Sequence, residues 1–99
     1  LGGLLRILGV VPVPNPNPAS LALNLEGPAD GVLLGVFTEA LVQVRQAKIP
    51  VRMDAGWNTV PLGSALKNLP LGLYFVRVQA TRAGASSPAR IVKVLITKR

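Results

Sequence analysis

The sequence predicts an all-β chain folded as an antiparallel two-sheet sandwich of about seven strands. Three observations carry this prediction. Nine prolines and ten glycines interrupt the 99 residues too often for long helices. The intervals between them are short and rich in Val, Leu and Ile, the residues that fit a pleated, half-buried surface. Several intervals also alternate apolar and polar residues, which sends one set of side chains to a core and the other to solvent.

In chain order, residues 4–11 form the first expected strand, apolar apart from Arg6. Pro12 and Pro14 are expected to close it, and the run Pro12-Val13-Pro14-Asn15-Pro16-Asn17-Pro18 then enforces extended, hydrogen-bond-poor backbone, suited to a sheet edge or a crossing between sheets. Residues 20–26 place Leu21, Leu23 and Leu25 on one face and Ser20, Ala22, Asn24 and Glu26 on the other. Gly27-Pro28-Ala29-Asp30-Gly31 is a turn by composition, and residues 32–38 resume the alternation with Val32, Leu34 and Val36. A further strand is expected over residues 41–49, ended by Pro50. After Asp54-Ala55-Gly56 turns the chain, residues 57–62 extend again. Ser64 is expected to cap a single helical turn over residues 64–69, stopped by Pro70. Gly72 opens the most regular strand, with Tyr74, Val76 and Val78 against Phe75, Arg77 and Gln79. Residues 90–98 close the sheet with Val92, Val94 and Ile96 inward. Leu23, Leu34, Tyr74, Val76 and Val94 are therefore expected to be buried together.

The organisation is one sandwich domain over residues 10–99, preceded over residues 1–9 by an apolar strand free to serve as linker or as donor to a neighbour. A start at Leu1 rather than Met leads us to expect a processed product or a piece of a longer precursor. The opening apolar stretch is too short for a membrane span, and no transmembrane helix is expected.

Composition narrows function. The chain has no His and no Cys, which removes the usual general base, the thiolate nucleophile and most transition-metal ligand sets. Asp30 and Asp54 sit beside glycines in turns, where carboxylates accept local backbone hydrogen bonds, and calcium would need more oxygen ligands. No phosphate-binding glycine loop and no spaced acid–base pair is present, so we expect no enzyme, no cofactor, no metal and no small-molecule substrate. Eleven Lys and Arg against four Asp and Glu give a formal charge of +7, which makes polyanions candidate partners. Nucleic acid is disfavoured, because only Phe37, Trp57, Tyr74 and Phe75 are available to stack on bases and the cations are dispersed along the strands.

Four stretches resemble a known family. Val11-Pro12-Val13-Pro14-Asn15-Pro16 is similar to a Tyr-Pro-Asn-Pro opening, with Val in the Tyr place. Val32-Leu33-Leu34-Gly35-Val36-Phe37, Ala55-Gly56-Trp57-Asn58-Thr59-Val60 and Leu69-Pro70-Leu71-Gly72-Leu73-Tyr74-Phe75-Val76-Arg77-Val78 follow in order. Together with a last strand carrying Lys93 and ending in basic residues, they resemble the immunoglobulin-like C-terminal domains of the bacterial type IX secretion system, related to the flagellar hook-capping immunoglobulin-like domain. The chain departs from that pattern at Leu41, where the family places a turn Gly, and at Thr38, where it places Asp.

The resemblance implies an immunoglobulin-like sandwich on a secreted protein, at the outer cell surface or outside the cell. It further implies sorting or anchoring through outer-membrane machinery, with Gly72, Tyr74, Lys93, Lys98 and Arg99 as recognition candidates. The residues alone read Gly72 as a turn glycine and Tyr74 as a buried ring with a bonded hydroxyl. Trp57 either covers the sandwich end or serves as a contact residue. A second function class stays open, an extracellular fibre or surface-layer subunit whose first strand completes a neighbouring copy. Its assembly candidates are Leu4, Leu5, Ile7, Leu8 and Trp57.

Overall fold

The alternating stretches become two antiparallel sheets in a computed structural model that describes residues 3–13 and 20–96. Strands β1 (Ile7–Val13), β2 (Ser20–Leu25) and β5 (Gly56–Pro61) form one sheet in the order β1-β2-β5. The other sheet holds β3 (Gly31–Thr38), β4 (Gln43–Ile49), β6 (Gly72–Arg82), β7 (Ala85–Ser86) and β8 (Arg90–Ile96). It runs from β4 through β3 to β6, whose far side is shared by β8 and β7. The fold is thus an all-β immunoglobulin-like sandwich of eight strands among the described residues. The extra strand beyond the expected seven is the two-residue β7, too short to show an alternation in sequence. It folds back on β6 through Ala83 and Gly84, whose φ values of 52° and 84° match the doubly left-handed turn that suits a two-residue hairpin.

The core lies where the two alternations meet. Leu21, Leu23 and Leu25 from β2 face Val32, Leu34 and Val36 from β3, with Tyr74, Val76 and Val78 from β6 and Val94 and Ile96 from β8. Leu23, Leu34, Tyr74, Val76 and Val94 are all in this one cluster, as their positions in the strand alternation require. An isolated bridge between Ala29 and Met53 adds two further buried side chains at the end of the sandwich.

Several expected boundaries shift, each for a local reason. β1 begins at Ile7 and runs through Pro12 to Val13, rather than stopping before the proline. It is an edge strand, so the missing Pro12 N–H can sit on the side that has no partner strand. The segment after Val13, residues 14–19, lies outside the described residues. β4 starts at Gln43, because Leu41 has φ 64° and belongs to the turn. The helical turn α1 spans Gly63–Leu66, so Ser64 lies within it and is not its cap. The phase is set by packing: the buried Leu62 offers its carbonyl to the Leu66 N–H at 2.9 Å, placing Ala65 and Leu66 in the core. Asn68, with φ 65°, ends the turn.

Two polar contacts fix the connections that the core does not reach. At the passage from α1 into β6, the Tyr74 hydroxyl donates to the Pro70 carbonyl at 2.7 Å while its ring is buried. This is the corner arrangement of immunoglobulin-like folds, a tyrosine near the start of a strand bonded back to the loop that feeds it. At the other end, Asp30 reaches beyond the local turn bonding that the sequence suggested. Its carboxylate accepts from the Ala83 N–H at 2.9 Å and the Thr81 hydroxyl at 3.2 Å, so one turn holds the strained Ala83 of another. The Ala83 backbone bond and the Thr81 hydroxyl hold the Asp30 carboxyl below its ordinary value, against a partial desolvation.

Two outcomes follow from these contacts. Tyr74→Phe is expected to lower unfolding stability by about 0.5–1.5 kcal/mol, the net worth of one hydrogen bond, whereas Tyr74→Ala costs about 3–5 kcal/mol through the lost ring; denaturant titration of the three proteins measures both. Because the Asp30 pKa is lowered on folding from an ordinary 3.8, its contribution is complete above that value and is lost as the pH falls through the lower folded value. Asp30→Asn should therefore flatten the acid limb of a stability-against-pH curve in that window and leave its shape near neutrality unchanged.

Candidate functional site

The residues singled out by sequence fall into three groups. Gly72 and Tyr74 are structural. Gly72 opens β6 with φ 147°, a backbone that side chains rarely adopt, and a Cβ there would meet nothing within 4 Å, so its requirement is conformational rather than steric. Tyr74 is 6% exposed, which leaves its ring closed to any partner. Lys93 is different: it is exposed near the middle of β8, on the outward face opposite Phe75. Lys98 and Arg99 lie outside the described residues.

The N-terminal candidates are divided by the fold. Ile7 is 2% exposed and pairs with Leu25 of its own chain, while Leu5 is half-buried against the same core. Leu4 and Leu8 are exposed, the latter at a register irregularity between Ile7 and Gly9. The segment is further tied down by an Arg6–Glu26 ion pair, by the Glu26 N–H donating to the Arg6 carbonyl at 2.9 Å, and by Arg82 donating to the Gly3 carbonyl at 3.1 Å. Its approach to the following turn is so close that a Cβ on Gly27 would stand 2.3 Å from the Gly3 oxygen. The first strand therefore serves its own sandwich, and it crosses the boundary expected between residues 9 and 10. Trp57 is 60% exposed on the outward face of the three-stranded sheet, opposite Asn24 and with its ring edge near Gly9, so it does not cover the sandwich end.

The feature that sequence reading missed is the outward face of the larger sheet. Cross-strand register places Phe37 beside Phe75 and Phe75 beside Lys93, and in the next row Gly35 beside Arg77 and Arg77 beside Ile91. Leu73 stands opposite Leu95 one row further along. Ile91 and Leu95 are 67% and 60% exposed. The Arg77 guanidinium lies 5.6 Å from the Phe37 ring centre, a cation–π contact that spans the bare backbone of Gly35. Between these side chains runs an open groove of about 440 Å³ lined by Phe37, Leu41, Phe75, Arg77 and Ile91.

Leu41, one of the lining residues, is under strain. Its φ of 64° is the left-handed conformation that costs a bulky residue roughly 1–2 kcal/mol. Thr38 holds it there, accepting from the Leu41 N–H at 2.9 Å through its carbonyl and from the Val42 N–H at 3.3 Å through its hydroxyl. A leucine thus holds a backbone conformation that glycine adopts readily, with a side chain 71% exposed. The signal for this face was present in the sequence. In β8, Ile91 and Leu95 are apolar on the phase opposite Val92, Val94 and Ile96, and an antiparallel strand apolar on both phases has two faces to cover.

Among the described residues, no group of three or more His, Cys, Asp or Glu side chains comes together, and no helix is long and apolar enough to cross a membrane. No protein-family model matches the chain, and no curated protein matches it significantly. The placement of Ile7 can be checked directly. Ile7→Ala should cost about 2–5 kcal/mol as a cavity in the chain's own core, by an amount independent of protein concentration, while Leu4→Ala stays within about 0.5 kcal/mol; chemical unfolding across a range of concentrations separates the two.

Proposed function

We propose that this chain is a non-catalytic, secreted immunoglobulin-like module that sorts and anchors a protein through a type IX-type pathway at the outer cell surface. The observation that carries the reading is the unit formed by Pro70, Gly72, Tyr74 and β6. The stretch that most resembles the family in sequence is also the corner on which this sandwich turns, with the Tyr74 hydroxyl on the Pro70 carbonyl. The exposed Lys93 on β8 adds a cation on the chain's last described strand, open to an outer-membrane partner.

The competing reading, a fibre subunit that donates residues 1–9 to a neighbour, has less support because Ile7 fills its own core. A single experiment separates them. Fusion of residues 1–99 behind a periplasmic reporter in a type IX-competent host is expected to place the reporter outside the cell, and removal of residues 97–99 or Lys93→Ala is expected to retain it inside. A reporter that never leaves the periplasm overturns the sorting reading. Concentration-dependent polymers of the isolated chain, seen by light scattering, establish the fibre reading in its place.

A further inference from the structure

We infer that the outward face of the β3–β6–β8 sheet is a docking surface for an acidic polypeptide segment that presents apolar side chains. The inference is independent of any export route. Three observations on this face carry it.

The first is apolar area without a partner. Phe75 and Phe37 form its centre and Ile91 and Leu95 its exposed flank, on a phase that a free-standing antiparallel sheet normally gives to polar residues. The second is strain. Leu41 combines a left-handed backbone with a side chain mostly in water, two features that disfavour the folded chain on its own and meet in the lining of the groove. Such an outlier is retained where it is used.

The third observation is charge, and it selects the partner. β3, β4, β6 and β8 contain no Asp or Glu, while Lys48, Arg77 and Lys93 stand on the outward phase. Glu26 pairs with Arg6, Asp30 holds Ala83 and Asp54 lies in the turn before β5, so Glu39 in the β3–β4 turn, beside Leu41, is the one acid near this face, against the three cations. A second copy would bring Arg77 and Lys93 against their own kind, on a chain already at +7. A carboxylate-bearing strand or loop meets cations instead. The groove, about 440 Å³, takes its apolar side chains beside the Arg77 guanidinium.

The test is a nuclear magnetic resonance titration of the full chain with a capped peptide of alternating Leu and Glu. A Leu/Lys peptide and vesicles of phosphatidylglycerol and phosphatidylcholine serve as comparators. The expected result is saturable movement of the Phe37, Phe75, Arg77 and Ile91 amides by the acidic peptide, with affinity at least about tenfold above that of the basic one. Arg77→Gln with Lys93→Gln should remove the preference, and Ile91→Ser should weaken binding without moving the thermal midpoint. Leu41→Gly should raise the thermal midpoint and weaken binding, the opposite directions expected of a residue strained for contact. The inference is overturned by equal response to both peptides, by response to vesicles alone, or by amide movement on self-association at rising concentration. Leu41→Gly binding as tightly as the parent would also overturn it. Lys93 serves both readings, so Arg77→Gln, Ile91→Ser and Leu41→Gly, which are expected to leave export of the reporter unchanged, are the variants on which the two readings fail separately.

Discussion

The hydrogen bond from the Tyr74 hydroxyl to the Pro70 carbonyl fixes how the chain passes from the three-stranded sheet into the larger one. Everything placed by β6 depends on that passage, because β6 carries β3 on one side and β7 and β8 on the other. Side chains alternate with a period of two, so a one-residue slip at the corner would turn Tyr74, Val76 and Val78 outward and bring Phe75 and Arg77 into the core. The corner therefore sets two surfaces at once, the buried one that stabilises the sandwich and the outward one that holds the groove. Burying the tyrosine ring without its hydroxyl partner would leave a polar group stranded, and the Pro70 carbonyl supplies that partner.

The opposite end of the sandwich is held by a different chemistry. There, a single carboxylate of Asp30 supplies acceptors to two groups of β6 and its hairpin, and Arg82 donates to the Gly3 and Pro28 carbonyls. These are exposed or part-buried contacts between turns, and the strength of the two that Asp30 accepts follows the charge on its carboxylate. The core between the two ends is apolar and insensitive to pH.

Alternation made most of the core legible. Leu21, Leu23 and Leu25, or Tyr74, Val76 and Val78, leave little freedom about which face is inside, and the structure buries them. What was not legible depended on partners far along the chain. Asp30 reads as a local turn acceptor, and the sequence gives no sign of its further partners 51 and 53 residues away. Ser64 reads as a cap, but the burial of Leu62 starts the helical turn earlier. Pro12 reads as the end of a strand until β1 is known to lie at an edge. The apolar outward face was visible in the composition of β8, but pairing with Phe75 and Arg77 was needed to assemble single exposed residues into one surface. The conformation of Leu41 could not be read from its type, since leucine is a poor candidate for a left-handed turn.

Pro12 has a consequence for how molecules of this protein meet. An exposed edge strand offers a row of unpaired donors and acceptors on which another chain can build, and a chain with 49% hydrophobic residues has much to lose from such templating. Pro12 deletes one donor from the edge of β1, and the irregularity between Ile7 and Gly9 bends the same edge a few residues earlier. An incoming strand would find the ladder broken at both places. The proline that looks like an interruption in the sequence is in this setting a guard against runaway edge-to-edge growth, and it lets an apolar first strand be displayed at the rim of the sandwich without inviting the next molecule to extend it.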